Sequence, residues 1–359
     1  MKIVLSRKRR PEIDPEGHPR TSRCIRLMVF CFAAWAMVGT HMLLALTAAG
    51  SQDAKSDVRG RGEDPDEPLA GMETDIAANK FVETESRLNN YLKDHPDSSR
   101  AYYDLGYVQF RTHNIGSSIK ELSKSLELDP KNAEAHKVLA LSCSIIGRYD
   151  LAEVELLQAV RLKPESAEIH YFLARTYYTR GVYPLAKSEF ETAIRLDSSY
   201  IKAYSNLGIT MEALGNTDAA LKNYTTAIQL EDRRKQKSEW PYIYISAFYN
   251  RQKNAPEALL YARKAVEINP ASDTVYFEMA KAYRTQKQLQ KAVDAARSAI
   301  AINSQVSDYY YVMGLVLREL GNQQASDEAL EKYAQLQQHS NDALSKPRTQ
   351  EPLLAPERQ

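Results

Sequence analysis

Between Ser99 and Tyr333 the apolar pattern is punctuated by small residues in fixed columns. One column reads Gly106, Ala140, Ala174, Gly208, Ser246, Ala280 and Gly314; a second reads Ser118, Ala152, Ala186, Ala220, Ala258, Ala292 and Ser326. The step is 34 residues throughout, except for one step of 38 from Gly208 to Ser246 and from Ala220 to Ala258. Ser125, Ala159, Ala193, Ala227, Ala265 and Ala299 form a third column, with large apolar residues between the columns. The pattern predicts helical hairpins whose two axes come close where the crossing residues are small. Gly147, Gly181, Gly215 and Gly321 fall where a left-handed residue would end the first helix of a hairpin. Pro130, Pro164 and Pro270 fall where the second helix must stop.

These positions carry a resemblance. Tyr102, Leu105, Gly106, Ser118, Leu122, Ser125 and Pro130 in one unit, and Tyr204, Leu207, Gly208, Ala220, Tyr224 and Ala227 in another, resemble the tetratricopeptide repeat. The resemblance implies an all-α, right-handed superhelical solenoid of helix-turn-helix units. Seven units are expected over 99–337, starting at 99, 133, 167, 201, 239, 273 and 307, after a partial leading repeat over 73–98 marked by Leu88, Tyr91 and Pro96. Ser198, Asp232 and Ser304 stand where proline would, and His113, Lys253 and Lys287 where glycine would. The four-residue excess falls in the charged run Glu231–Glu239, read as a longer helix or loop facing solvent. Tyr333 replaces a small residue in the last unit, which has no successor to crowd. Residues 338–359, with three prolines and no periodicity, are expected to be disordered.

Leu27 to Ala49 runs 23 residues without a formal charge, and about 20 suffice to cross a bilayer as a helix. Residues 1–26 carry eight Lys or Arg against three acids, which predicts a cytoplasmic N-terminus and repeats on the far side, periplasmic in a bacterium. Signal cleavage near Gly50 is the alternative. The Asp-, Glu-, Gly- and Pro-containing stretch 50–72 reads as a flexible linker. The first fifty residues hold a net +5 of a chain total of +1, so the remainder is net −4 and no nucleic-acid partner is expected. Cys143 stands alone in the repeats and faces the hairpin interior.

Catalysis finds no foothold. The chain has no Gly-rich phosphate loop, nucleophile elbow, paired-Cys spacing or His-Glu-x-x-His, so no catalytic residue, metal or cofactor is expected. His136 and His170 recur 34 apart, but in the aromatic column otherwise held by Tyr102, Tyr204, Tyr242, Tyr276 and Tyr310, where packing explains them.

What remains is the concave stripe that the first helices of such hairpins present. It reads Tyr103, Tyr107, Phe110 and Arg111; Lys137 and Leu141; Tyr171, Arg175 and Tyr178; Ser205, Asn206, Ile209 and Glu212; Ile243, Asn250 and Arg251; Phe277, Lys281 and Arg284; Tyr311, Leu315 and Arg318. Tyr supplies amphipathic contact and Arg grips carboxylates bidentately, which suits an extended peptide. The expected partner site is Tyr103, Tyr107, Arg111, Lys137, Tyr171, Arg175, Tyr178, Asn206, Phe277, Lys281, Arg284, Tyr311 and Arg318, centred on Tyr171, Arg175, Tyr178 and Asn206. Some relatives hold chaperone tails by Lys, Asn and Arg at positions occupied here by Tyr103, Tyr107, Val138, Tyr171 and Arg175; only Arg175 fits. The expectation is a noncatalytic, membrane-anchored scaffold for an envelope complex. A glycan-binding accessory factor, stacking sugars on the aromatic stripe, is the alternative.

Overall fold

The structure is a computed structural model and describes residues 67–345. These residues form sixteen α-helices and no strand. The first of them are α1 (Glu67–Ala77), α2 (Phe81–Asp94), α3 (Ser99–Arg111), α4 (Ile115–Leu128), α5 (Ala133–Ile145), α6 (Tyr149–Leu162), α7 (Ala167–Thr179) and α8 (Tyr183–Leu196). There follow α9 (Ile201–Ala213), α10 (Thr217–Asp232), α11 (Trp240–Arg251), α12 (Ala255–Ile268), α13 (Asp273–Thr285), α14 (Leu289–Ile302), α15 (Ser307–Glu319) and α16 (Gln323–Ser345). Consecutive pairs form hairpins, and the chain divides after Ser198 into two compact units of four hairpins each. Within each unit the second helix of one hairpin packs on the first helix of the next, which is solenoid packing.

The small columns are the crossings. A Cβ on Gly106 would lie 2.7 Å from Leu122 Cγ, and one on Gly208 would lie 2.6 Å from the Tyr224 ring. Serines in the two columns add a bond the sequence pattern does not show: Ser118, Ser246 and Ser326 Oγ donate across the crossing to the carbonyls of Gly106, Ala258 and Gly314, at 2.8, 2.8 and 2.9 Å for the three. Where Ser246 stands in the first column, its donation thus runs toward the second helix.

Each hairpin turn has the same geometry, whatever its residue. Gly147 has φ +79° and accepts no side-chain constraint, while Asn79, His113, Lys253 and Lys287 occupy the same left-handed region at φ near +60°. The reason is the closing bond pair: the left-handed residue's N–H bonds three residues back and the next N–H five back, as in Gly147 to Ser144 and Arg148 to Cys143, or Lys253 to Asn250 and Asn254 to Tyr249. A side chain in this region costs roughly 1–2 kcal/mol, partly offset by the unfolded-chain freedom glycine adds. Lys253→Gly is therefore expected to raise stability by about 0.5 kcal/mol, read as a higher urea midpoint at unchanged slope.

Three expectations are corrected or displaced. Helix α1 begins at Glu67, inside the stretch 50–72 read as linker, so the leading repeat has both helices. Its few apolar residues suffice because Leu69 and Met72 are buried with Leu88, Ala101, Leu105 and Val108. Helix α16 continues to Ser345, into the stretch 338–359 expected to be disordered; no proline or glycine interrupts the chain between Gly321 and Pro347. The charged run after α10 is only partly a solvated face. Glu231 is 1% exposed and accepts the Ser238 N–H at 2.7 Å, while Asp232 accepts Tyr242 Oη at 2.5 Å and Lys237 Nζ at 3.0 Å. The extra residues thus lengthen α10 to 16 residues, against 14 in α8 or α12, and close a side-chain-clamped turn before α11. Among the described residues no helix is long and apolar enough to cross a membrane; the apolar segment 27–49 lies outside them.

Candidate partner-binding face

In the first unit, Tyr103 and Tyr107 of α3 are half-buried with rings stacked at 6.3 Å between centroids. Arg111, one turn on, is a structural strap: its Nη1 donates to Tyr107 Oη at 2.8 Å, its Nη2 to Asn79 Oδ1 at 3.1 Å, and its guanidinium lies 4.8 Å from the Phe81 ring centroid. Lys137 of α5 has a side chain only 12% exposed, between Glu134 Oε2 at 2.5 Å and Glu168 Oε2 at 2.7 Å. Burial opposes its charge, but the two carboxylates outweigh burial and raise its pKa.

The expected centre departs from the sequence reading. Tyr171 is 4% exposed and Arg175 8%, so neither offers the open surface expected of a groove lining. The Tyr171 ring packs on Phe172 and Phe190 at 5.3 and 5.8 Å, and Arg175 lies 5.6 Å from the Tyr171 ring centroid. Aromatic packing within the hairpin has drawn them inward. Tyr178 remains half-buried, 5.3 Å from the Tyr183 ring. Asn206 belongs to the second unit, where its Nδ2 donates to the Lys202 carbonyl of its own helix at 2.9 Å.

In the second unit the stripe is knitted by its own charges. Arg251 grips Glu212 with two bonds, at 2.8 and 2.6 Å, and Glu212 also accepts Tyr224 Oη at 2.5 Å. Asn250 donates to both the carbonyl and the carboxylate of buried Glu278, which also accepts Lys281 Nζ at 2.7 Å. Lys281 lies over Phe277 at 4.7 Å, and Arg284 pairs with Glu319 at 2.6 Å. Tyr311 is half-buried against Tyr333 at 5.2 Å, and Arg318 is exposed. The cations expected to grip a partner's carboxylate thus largely hold neighbouring hairpins together.

Sequence reasoning missed two arrangements. His136 Nδ1 lies 2.6 Å from Glu155 and Nε2 3.1 Å from the Pro130 carbonyl; His170 repeats this with Glu189 at 2.6 Å and Pro164 at 2.9 Å. The legible signal was the identical His-to-Glu spacing of 19 in two units. Asp104 is the other: a buried carboxyl on α3 whose Oδ2 has no hydrogen-bond partner among the described residues. Cys143 is buried, and burial pushes its thiol up to about 12, so it is an inert core residue.

Tetratricopeptide-repeat family models match residues 146–201 and 206–273 in one case, and 99–132, 273–306 and 307–339 in another. The chain is a tetratricopeptide-repeat protein. No curated protein matches this tetratricopeptide-repeat chain. Among solved structures, it is similar to a tetratricopeptide repeat protein from Parabacteroides merdae, at 16% identity over 70% of this chain and 98% of that one, with a TM-score of 0.60. It is also similar to a chain of the APC/C hetero-tetramer Cut9-Hcn1, at 18% identity over 70% of this chain and 48% of that one, with a TM-score of 0.58. MamA from Desulfovibrio magneticus shares 18% identity over 49% of this chain and 99% of its own, with a TM-score of 0.45. In this tetratricopeptide-repeat protein the chaperone-tail positions Val138 and Arg175 are both buried.

Proposed function

We propose that this tetratricopeptide-repeat protein is a noncatalytic scaffold that holds a protein partner, or an extended segment of one, on the first helices of successive hairpins. The observation that carries this reading is the half-exposed aromatics on the first helices of each unit, Tyr103, Tyr107 and Tyr178 in the first and Phe277 and Tyr311 in the second, set among charged side chains. Aromatic rings with polar edges give large contact area at low entropy cost. The uncharged stretch 27–49 behind a basic leader supports a membrane anchor with the repeats on the extracytoplasmic side, and hence a role in assembling an envelope complex.

The test is site-specific photocrosslinking in the native membrane, with the photoreactive residue at Tyr107 or Phe277 and, as a control, at exposed Val154 on the second helix α6. The expected result is the same crosslinked protein from Tyr107 and Phe277 and none of it from Val154. Capture of that protein from Val154 alone, or of glycan fragments in its place, would refute the reading.

A further inference from the structure

We propose that the aromatic pair Tyr103 and Tyr107 on α3 receives an uncharged, proline-rich segment of the partner in the polyproline II conformation, an assignment that rests on the peptide-holding reading above and names the class of segment held.

The charges around this pair close on themselves. Arg100 pairs with Glu73 at 2.6 Å, Lys163 with Glu134 at 3.2 Å, and Lys137 with both Glu134 and Glu168. Arg111 is engaged by Tyr107, Asn79 and the Phe81 ring, and Asp104 is buried with Glu73 and Arg100 as its charged neighbours. Four cations therefore stand against four carboxyls, and neither sign is left over to attract a charged segment.

Two rings and two hydroxyl protons are left over instead. Tyr107 Oη accepts from Arg111 Nη1 at 2.8 Å, so its own proton can go to another group. Tyr103 Oη has no hydrogen-bond partner among the described residues, and burial, with Glu134, Asp104 and Glu168 nearby, pushes its pKa up and keeps it a donor. The acceptors are mostly taken: both Glu134 oxygens and one of Glu168 by lysines, and Tyr107 Oη by Arg111. Open donors with few open acceptors fit a chain that brings carbonyls and few N–H groups. Proline has no N–H, and polyproline II leaves its carbonyls without internal partners. A sugar fits less well, because each of its hydroxyls brings a proton that needs an acceptor. The spacing also suits such a segment. The ring centroids lie 6.3 Å apart with planes 26° from parallel. Two residues of polyproline II advance about 6.2 Å, so prolines two apart can each lie against one ring, the contact by which aromatic grooves hold such segments.

The experiment uses the purified full-length chain and two fluorescein-labelled probes, decaproline and a Gly-Ser peptide of the same length. Anisotropy is expected to show decaproline bound at least roughly ten-fold tighter, with affinity that does not fall as salt rises. Tyr103→Phe, which keeps the ring and removes the donor, should weaken decaproline several-fold while the melting temperature holds. Tyr103→Ala with Tyr107→Ala should abolish the preference over Gly-Ser. No preference for decaproline, affinity that falls with salt, or tyrosine variants that bind as the parent chain does would overturn the proline assignment, and a crosslink at Tyr107 would then still support the scaffold reading. Decaproline binding that appears only after Pro347, Pro352 and Pro356 are replaced by alanine would make this chain's own C-terminal stretch the occupant and overturn the partner assignment. Neither probe binding, together with no crosslink at Tyr107, would remove both readings.

Discussion

Alanine at Gly208 is expected to destabilise the second unit by roughly 1–3 kcal/mol, the usual cost of overpacking a filled core. The new Cβ would lie 2.6–2.8 Å from three carbons of the Tyr224 ring. That ring cannot step aside: it is fully buried, packs on Phe248 at 5.6 Å, and its hydroxyl donates to Glu212. The crossing of α9 and α10 must open instead, and Arg251 loses its alignment on Glu212. Gly314→Ala should cost less, because the clash there is with Leu330, a flexible and half-buried side chain in the last hairpin. Gly116→Ala should have the opposite sign, since nothing lies within 4 Å and alanine suits the helix α4 better than glycine by roughly 0.5–1 kcal/mol. Urea titrations of the three variants test this ordering. A Gly208→Ala midpoint equal to that of the parent chain would show that the small column does not set the crossing distance.

The hairpins were legible because their determinants are local and repeated. A residue that must be small at Gly106 must be small again at Ala140 and Ala174, so each unit restates the constraint, and chance matches in one unit are corrected by the others. The ends were less legible for the same reason. Helix α1 is the first of the described helices, and its acid-, Pro- and Gly-containing sequence reads as linker until Leu69 and Met72 are seen against Leu88 and Val108. The candidate face was read only in part. Register places Tyr107 and Lys137 on the first helices, but not their exposure or their pairing. Whether a stripe cation is offered to a partner depends on the residue one unit away: Glu168 for Lys137, Glu319 for Arg284, Glu212 for Arg251. Those long-range pairings follow from packing between hairpins, which a one-unit reading omits. The burial of Tyr171 follows likewise from Phe190 across its own hairpin.

The first unit is expected to lose stability as pH rises above about 6.5, more steeply than the second. Both ring nitrogens of His136 and of His170 face oxygens that only accept, a carboxylate and a proline carbonyl, so the imidazolium is the form that satisfies the site. On His136 burial opposes the charge, but the Glu155 and Pro130 bonds, with Asp129 nearby, outweigh it; on His170 the Glu189 bond is the largest effect, against burial and Arg195. Both pKa values are therefore raised, and a raised histidine contributes stability that is complete below its unfolded value of about 6.5 and lost as pH climbs through the folded one. Asp104 acts in the same direction, because burial pushes its carboxyl up to about 7, above the usual carboxylate range, and ionisation strands a buried charge. Each imidazolium ties the end of one hairpin to both helices of the next, so losing it loosens two consecutive junctions at once. Tyrosine is the natural control. Tyr276, at the same register in another unit, donates to the Pro270 carbonyl at 3.1 Å, so His136→Tyr with His170→Tyr should keep that bond while removing the titration. Amide hydrogen exchange in α5–α8 is expected to speed up with pH, beyond the intrinsic chemical rate, in the parent chain and much less in the double variant. Identical profiles in the two proteins would show that the imidazoles are neutral packing residues. Asp104→Asn in the double-tyrosine background should then flatten what remains of the slope in α3, which separates the carboxyl's share from that of the histidines.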